Sequence, residues 1–393
     1  MYPHAAAASW GYELIILKGN DIMSKLGFGF MRLPLTDPKD GSSVDIPTLT
    51  KMVDMYMASG NNYFDTAFRY CDFASEPALK QTLTSRYPRE AYELTDKITL
   101  GFVKTEDEQE PYFRNQLERC GVEYFDNYLI HNINSDFYKK AQQLHTFEFI
   151  QRMKEMGLCK RTGVSFHGTP ELLEELLNNY PEIDLVQLQL NYADWDDAGV
   201  QSRRCYEICE AHNKTVLVME PVKGGNLANL PDEAASLLKA CHPDWSQASW
   251  AIRFAASQPA VYRVLSGMST LEQVEDNTGY MKDFTPLTQE ELELCHRAAA
   301  IFKANTAIPC TGCRYCEGDC PQNIAIPNYF ALYNEEKRSS VNYVHASGFY
   351  YKALSESRGK ASECLECGLC EKNCPQNINI REQLKNVAAV FEK

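Results

Sequence analysis

The chain has 393 residues, 44% of them apolar and 23% charged, with a formal net charge of −14. That length suits one large α/β domain with a small appendage. No apolar run approaches the roughly 18 residues of a membrane span, and so acidic a chain lacks the basic face that nucleic-acid binding requires.

Residues 1–22 lack the basic start, long apolar stretch and small-residue cleavage site of a secretory signal. Met23 directly precedes "SKLGFGFMRLPL", so translation is expected to begin there, with 1–22 as an extension. Without a signal, the fifteen cysteines are expected to be reduced in a cytoplasmic protein.

From Leu26 onward, short β-rich apolar runs recur at roughly 25–45-residue intervals. They are 26–33, 61–66, 92–97, 127–131, 161–166, 185–191, 215–220 and 262–267. The stretches between them read as helices. In "IPTLTKMVDMYMASG", Leu49, Met52, Val53 and Tyr56 share one face and Gly60 stands past the end. "ASEPALKQTL" offers Ser75 as N-cap with Pro77 early, and "TPELLEELLNNY" repeats the order of cap, proline and acidic first turn. Eight strand–helix alternations predict a parallel (β/α)8 TIM barrel over residues 23–298.

Such a barrel places its chemistry at the carboxyl ends of the strands. Asp65, Lys97 and His131 end the second, third and fourth runs, and Tyr70 follows Asp65 in the next loop. Singly, each has an ordinary structural role open to it; together on one rim they predict proton chemistry. A tyrosine is a poor acid at neutral pH unless its anion is favoured. Lys97 would favour that anion and Asp65 would hold Lys97 charged. Tyr70 could then protonate a carbonyl oxygen that His131 orients.

The segments "FDTAFRY" (64–70), "TDKI" (95–98) and "LIHN" (129–132) resemble the Asp, Tyr, Lys and His motifs of the aldo/keto reductase superfamily, over about Leu26 to Tyr280. The resemblance implies NAD(P)H bound at the carboxyl rim. Ser165 and Gln187 would then contact the nicotinamide carboxamide. The loop Pro221–Leu227, with Gly224 and Gly225, and the segment Gly267–Asn277, with Ser269 and Gln273, would hold the pyrophosphate and adenosine ends. Phe166 follows the serine where many relatives have asparagine. Glu220 stands where many stack an aromatic ring on the nicotinamide. Gly267 and Gln273 replace the basic residues that commonly clamp a 2′-phosphate, which leans toward NADH.

Near the end, "CTGCRYCEGDCP" (310–321) and "CLECGLCEKNCP" (364–375) repeat one pattern, Cys-x2-Cys-x2-Cys-x3-Cys-Pro. In that ferredoxin-type run three cysteines hold one cubane and the fourth reaches the other. Cys310, Cys313, Cys316 and Cys374 would hold one [4Fe–4S] cluster, and Cys364, Cys367, Cys370 and Cys320 the second. Zinc, the usual reading of an isolated Cys-x2-Cys pair, suits two such runs poorly. The connection of about 43 residues has helical composition, with Tyr329, Phe330, Leu332 and Tyr333 on an apolar side. Residues 299–393 therefore resemble the helical dicluster ferredoxin domains of multidomain oxidoreductases, and the whole chain after Met23 an iron–sulfur subfamily of the aldo/keto reductases.

The sequence thus predicts hydride transfer between NAD(P)H and a carbonyl or alcohol substrate, coupled to or supported by two [4Fe–4S] clusters. Hydride moves two electrons together and a cluster passes one, so a flavin (FMN or FAD) is a third cofactor to consider. Two alternatives stand beside this reading. One is a reductase fed by ferredoxin or another redox partner, without nicotinamide as donor. The other is a nicotinamide-sensing module with little turnover. A purely structural role for the clusters is also open.

Overall fold

The computed structural model describes residues 24–392 apart from 39, 198–199 and 339–345. The expected extension 1–22 lies outside the described residues. Eight strands close a barrel in sequence order, and every pair is parallel. They are β1 (Leu26–Gly29), β2 (Tyr63–Asp65), β3 (Glu93–Ile98), β4 (Phe125–Ile133), β5 (Cys159–Phe166), β6 (Leu185–Gln189), β7 (Thr215–Met219) and β8 (Val261–Ser266). Each falls on one of the eight predicted runs.

Side chains of a strand alternate between faces, and the barrel separates two apolar groups accordingly. Tyr63, Leu129, Leu185, Leu217 and Leu265 form a small cluster of their own in the lumen. The larger core includes Phe64, Ile130, Val186 and Val218, the neighbours of those residues, packed under the helices. Beside Tyr63 in the lumen, Thr95 Oγ1 lies 2.6 Å from the tyrosine hydroxyl and accepts from Asn127 Nδ2 at 2.9 Å. The next inward positions toward the carboxyl rim are Asp65, Lys97, His131, Ser165 and Gln187.

The helix Ile46–Ala58 buries Leu49, Met52, Val53 and Tyr56, and Gly60 takes φ +86° just beyond it. Thr169 caps the helix Pro170–Asn179 by accepting from Leu172 N. Ser75 differs from expectation. It begins a helix capped by Ala74, and its hydroxyl donates instead to Phe30 O and meets the Thr66 hydroxyl. A buried hydroxyl already satisfied by the first and second loops has no need of a capping partner.

The expected division at 298/299 falls inside the helix Gln289–Ala304, whose Ala299 and Phe302 belong to the barrel's core. A second core starts at Ile308 and gathers Tyr329, Phe330, Tyr333, Ile380, Leu384 and Val387 around Cys316 and Cys370. Its helices run Ile326–Arg338, Ala346–Ser355 and Ile380–Phe391. Among the described residues, no helix is long and apolar enough to cross a membrane.

Candidate active site

Asp65, Lys97 and His131 stand two positions after Tyr63, Thr95 and Leu129 on their strands, so the pleat carries all three into the lumen mouth. They are 3%, 0% and 5% exposed. Lys97 Nζ donates to Asp65 Oδ1 and to Thr66 O, both at 2.7 Å, and lies 5.0 Å from the centroid of the Tyr70 ring. The Tyr70 and His131 rings meet edge to face with centroids 5.7 Å apart. The structure thus brings the four rim residues together.

Burial raises the Asp65 carboxyl above its usual range, opposed by the Lys97 charge. Burial, then the charges of Lys97, His167 and Arg69, hold His131 well below an ordinary imidazole. His131 is therefore neutral at pH 7, and Thr99 Oγ1 lies 3.0 Å from its Nδ1. If that hydroxyl donates, the ring proton sits on Nε2 and faces the pocket. The Tyr70 hydroxyl differs from the expectation of a lowered pKa. Burial and the Asp65 charge push it well above 10, and the main opposing influence comes from Tyr315, in the first cysteine run.

Ser165 Oγ lies 3.5 Å from His167 Nε2 and 3.9 Å from Met219 Sδ. Gln187 Nε2 donates to Asp65 Oδ2 at 3.2 Å, while its buried Oε1 has no partner. A carboxamide N–H is the kind of donor that acceptor lacks. Beside the tetrad runs an open groove of about 840 Å³, lined by Glu220, Gly224, Gly225, Gly267, Ser269, Gln273 and Asn277. Gly224 and Gly225 both adopt positive φ, and a Cβ at Gly225 would meet nothing within 4 Å, leaving its backbone open to a ligand. These features fit a nicotinamide dinucleotide. Arg32, which sequence reasoning missed, also lines the groove and pairs with Glu220 Oε1 at 3.0 Å. It sits just past β1, on the same rim that drew attention to Asp65, so the same rule could have found it. Tyr315 had no such signal.

The eight tail cysteines fall into two cavities. One is lined by Cys310, Cys313, Cys316 and Cys374 with Ile326, Phe330, Ile378 and Ile380, the other by Cys320, Cys364, Cys367 and Cys370 with Ile324, Ile326 and Leu384. Each takes three thiols from one run and the fourth from the other. Four soft sulfur donors around an apolar hollow fit an iron–sulfur cluster. Of the other seven cysteines, five are buried and Cys241 is exposed, while burial pushes the Cys71 thiol up to about 11.

Residues 25–300 match the sequence profile of the aldo/keto reductase family, and residues 309–378 that of the 4Fe-4S dicluster domain. The chain belongs to the aldo/keto reductase family. Among its relatives, the 9,11-endoperoxide prostaglandin H2 reductase of Trypanosoma cruzi is 26% identical over 56% of this chain and 69% of its own. An uncharacterized oxidoreductase of Bacillus subtilis, YqkF, is 22% identical over 72% of this chain and 95% of its own. Solved aldo-keto reductases share the barrel. One from Bacillus halodurans superposes with a TM-score of 0.57 at 23% identity, covering 70% of this chain and 92% of that one. Another, from Klebsiella pneumoniae in complex with NADPH, gives 0.55 at 18%, covering 70% and 90%. This member of the family therefore joins an aldo/keto reductase barrel to a dicluster tail.

Proposed function

We propose that this aldo/keto reductase reduces a small carbonyl compound with NAD(P)H, and that its tail cysteines hold two [4Fe–4S] clusters in the two sets of four. The observation that carries the reading is the buried Asp65–Lys97 pair set against Tyr70 and His131, beside a groove that suits a dinucleotide. Bound nicotinamide would supply the hydride for the carbonyl carbon, a two-electron step that needs no further electrons, and clusters held by the tail cysteines would carry electrons singly. The Tyr70 hydroxyl gives its proton to the carbonyl oxygen, and solvent restores that proton after turnover. Neutral His131 donates from Nε2 to the same oxygen and fixes its position. Asp65 keeps Lys97 charged, and Lys97 steadies the tyrosinate as it forms.

Gln187 Oε1 and Ser165 would hold the carboxamide, the loop with Gly224 and Gly225 the pyrophosphate, and Ser269, Gln273 and Asn277 the adenosine. NADPH in the Klebsiella pneumoniae neighbour supports a nicotinamide cofactor. Arg32 is the one cation lining the groove among the described residues, and it is engaged by Glu220, which favours NADH over NADPH.

Purified, cluster-loaded protein should oxidise NADH or NADPH anaerobically only when a small aldehyde is present. Tyr70→Phe should lower that rate by about 10²- to 10⁴-fold while leaving the visible iron–sulfur band intact. Full activity in Tyr70→Phe would sink the mechanism. A second reading, a reductase fed by a redox partner through the clusters, is favoured by the proximity of Cys313 to Glu220 and Arg32 on the rim. A flavin could mediate there. Bleaching of the iron–sulfur band by NADH would link the two halves electronically, and an unchanged band would point to a separate donor.

A further inference from the structure

The loop after β7 is a wall shared by two sites. On one side Glu220, Gly224 and Gly225 line the dinucleotide groove. On the other, the loop leans on Cys310, Thr311 and Gln376, all of which line the first cysteine cavity. Asn226 makes the join. Its Nδ2 donates to Lys223 O within the loop at 2.9 Å and to Cys310 O in the tail at 3.1 Å. Lys223 Nζ donates to Gln376 Oε1 at 3.2 Å, and a Cβ on Gly224 would lie 2.1 Å from Thr311 O. Arg32, which also lines the groove, donates to that same carbonyl at 3.4 Å and to Glu220 Oε1 at 3.0 Å.

Local preference does not give the loop this shape. Glu220, Lys223, Gly224 and Gly225 have φ of +54°, +49°, +65° and +95°, and the first two carry side chains that disfavour such values. A backbone of this kind persists only where its surroundings hold it. The barrel contributes Asn191, which donates to Glu220 O at 2.9 Å, and Asp194, which pairs with Lys223. The tail contributes Cys310, Thr311 and Gln376. We infer that Asn226 is a positioning residue of the dinucleotide groove, and that through it occupancy of the first cysteine cavity raises the affinity for nicotinamide. A filled cavity fixes Cys310 and Thr311, so the loop is already ordered when the dinucleotide arrives. The coupling is reciprocal, so bound nicotinamide makes the first cavity hold its iron more tightly. It rests on nicotinamide being the groove's ligand, and it makes the barrel an enzyme that binds its cofactor well only when the tail is loaded.

The test is made anaerobically on the full chain, with NAD⁺ and NADP⁺ as probes because neither gives electrons to a cluster. In equilibrium dialysis, cluster-loaded protein should bind the better of the two at least about fivefold more tightly than protein stripped by a chelator. Loaded Asn226→Ala, with iron content and visible band equal to wild type, should show a similar loss. Stripping its iron should then weaken binding less than about twofold, because the join is already gone. Against a competing chelator, saturating dinucleotide should raise the iron retained by wild type and leave Asn226→Ala unmoved, a readout that needs no stripped protein. Where Asn226→Ala fails to load, Asn226→Asp, which keeps the size and loses the amide donors, takes its place. Equal affinity with and without iron, a loaded variant that binds as wild type does, or a full effect of stripping in that variant would each overturn the inference. Iron retention indifferent to dinucleotide would do the same. A loaded wild type that binds neither probe sinks the nicotinamide reading as well, whereas one that binds them regardless of iron sinks the coupling alone.

Discussion

At the scale of single residues, the site combines groups whose environments push their ionisation in opposite directions. Burial raises Asp65 and Tyr70 and lowers His131, so the resting pocket holds one ion pair and two neutral hydrogen-bonding groups. His167, two positions beyond Ser165, belongs to the same setting, with burial lowering its pKa from 6.5 to about 4. The consequence for stability follows from proton counting. Between about pH 6.5 and 4 the unfolded chain binds a proton at this position that the folded chain refuses, so stability falls as pH falls. The contribution is complete above pH 6.5 and is lost progressively down to about 4, to a limit of about 3 kcal/mol. His131 pulls in the same direction, while Asp65, with its raised pKa, opposes it in the acid range. A His167→Gln variant should therefore lose less stability than wild type between pH 7.5 and 5. Urea midpoints of both proteins at several pH values would check this, and parallel curves would show that His167 titrates freely.

At the scale of elements, the loop Lys223–Ala228 after β7 is built from both sides. Lys223 is held by Asp194 at 2.5 Å and by Gln376 Oε1 at 3.2 Å. Gly224 takes φ +65°, and a Cβ there would lie 2.1 Å from Thr311 O. Gly224→Ala would thus strain the backbone by about 1–2 kcal/mol and drive a methyl group into the tail. Its expected outcome is a lower Tm with faster proteolysis between Ala304 and Cys310, and weaker nicotinamide binding by fluorescence titration. A Tm equal to wild type would mean the loop tolerates separation from the tail. This loop also shows what a sequence can reveal. "PVKGGNL" was singled out by the family resemblance, while the rim rule gathered Asp65, Lys97 and His131 because strand periodicity is local information. The eight strands were legible for the same reason. Ser75 was misjudged because its partners, Phe30 and Thr66, come from other loops. Tyr315 was invisible because it sits some 245 residues from Tyr70 in sequence and influences it only once the tail has docked.

At the scale of the whole molecule, the tail and the barrel share a buried polar seam beside the cysteines. Gln376 and Gln189 exchange a pair of amide hydrogen bonds, at 2.9 and 2.7 Å, with Lys223 and Asp194 adjoining. Gln376 stands two residues after Cys374, so whatever Cys374 holds also fixes one side of the seam. The tail's core is small, and six of its apolar residues, Ile324, Ile326, Phe330, Ile378, Ile380 and Leu384, line the cysteine cavities. A core of that kind depends on what fills the cavities, and metal binding in such a domain is coupled to folding. The barrel has its own lumen cluster and outer core, which include no tail residue beyond Phe302. Removing iron with a chelator under anaerobic conditions should therefore unfold the tail and leave the barrel folded. Far-ultraviolet circular dichroism should lose the signal of the helices Ile326–Arg338, Ala346–Ser355 and Ile380–Phe391. Thermal unfolding should keep a distinct barrel transition at lower temperature than in the loaded protein, since the seam no longer braces β6 and the β7 loop. Cys313→Ser should do the same at the first cavity alone, whose cysteine run is held to the barrel's rim by Asn226 and Arg32, and so should depress turnover more than Cys367→Ser at the second. Equal losses from both variants would mean that the tail acts through its fold as a whole and not through the segment it lays across the barrel's mouth.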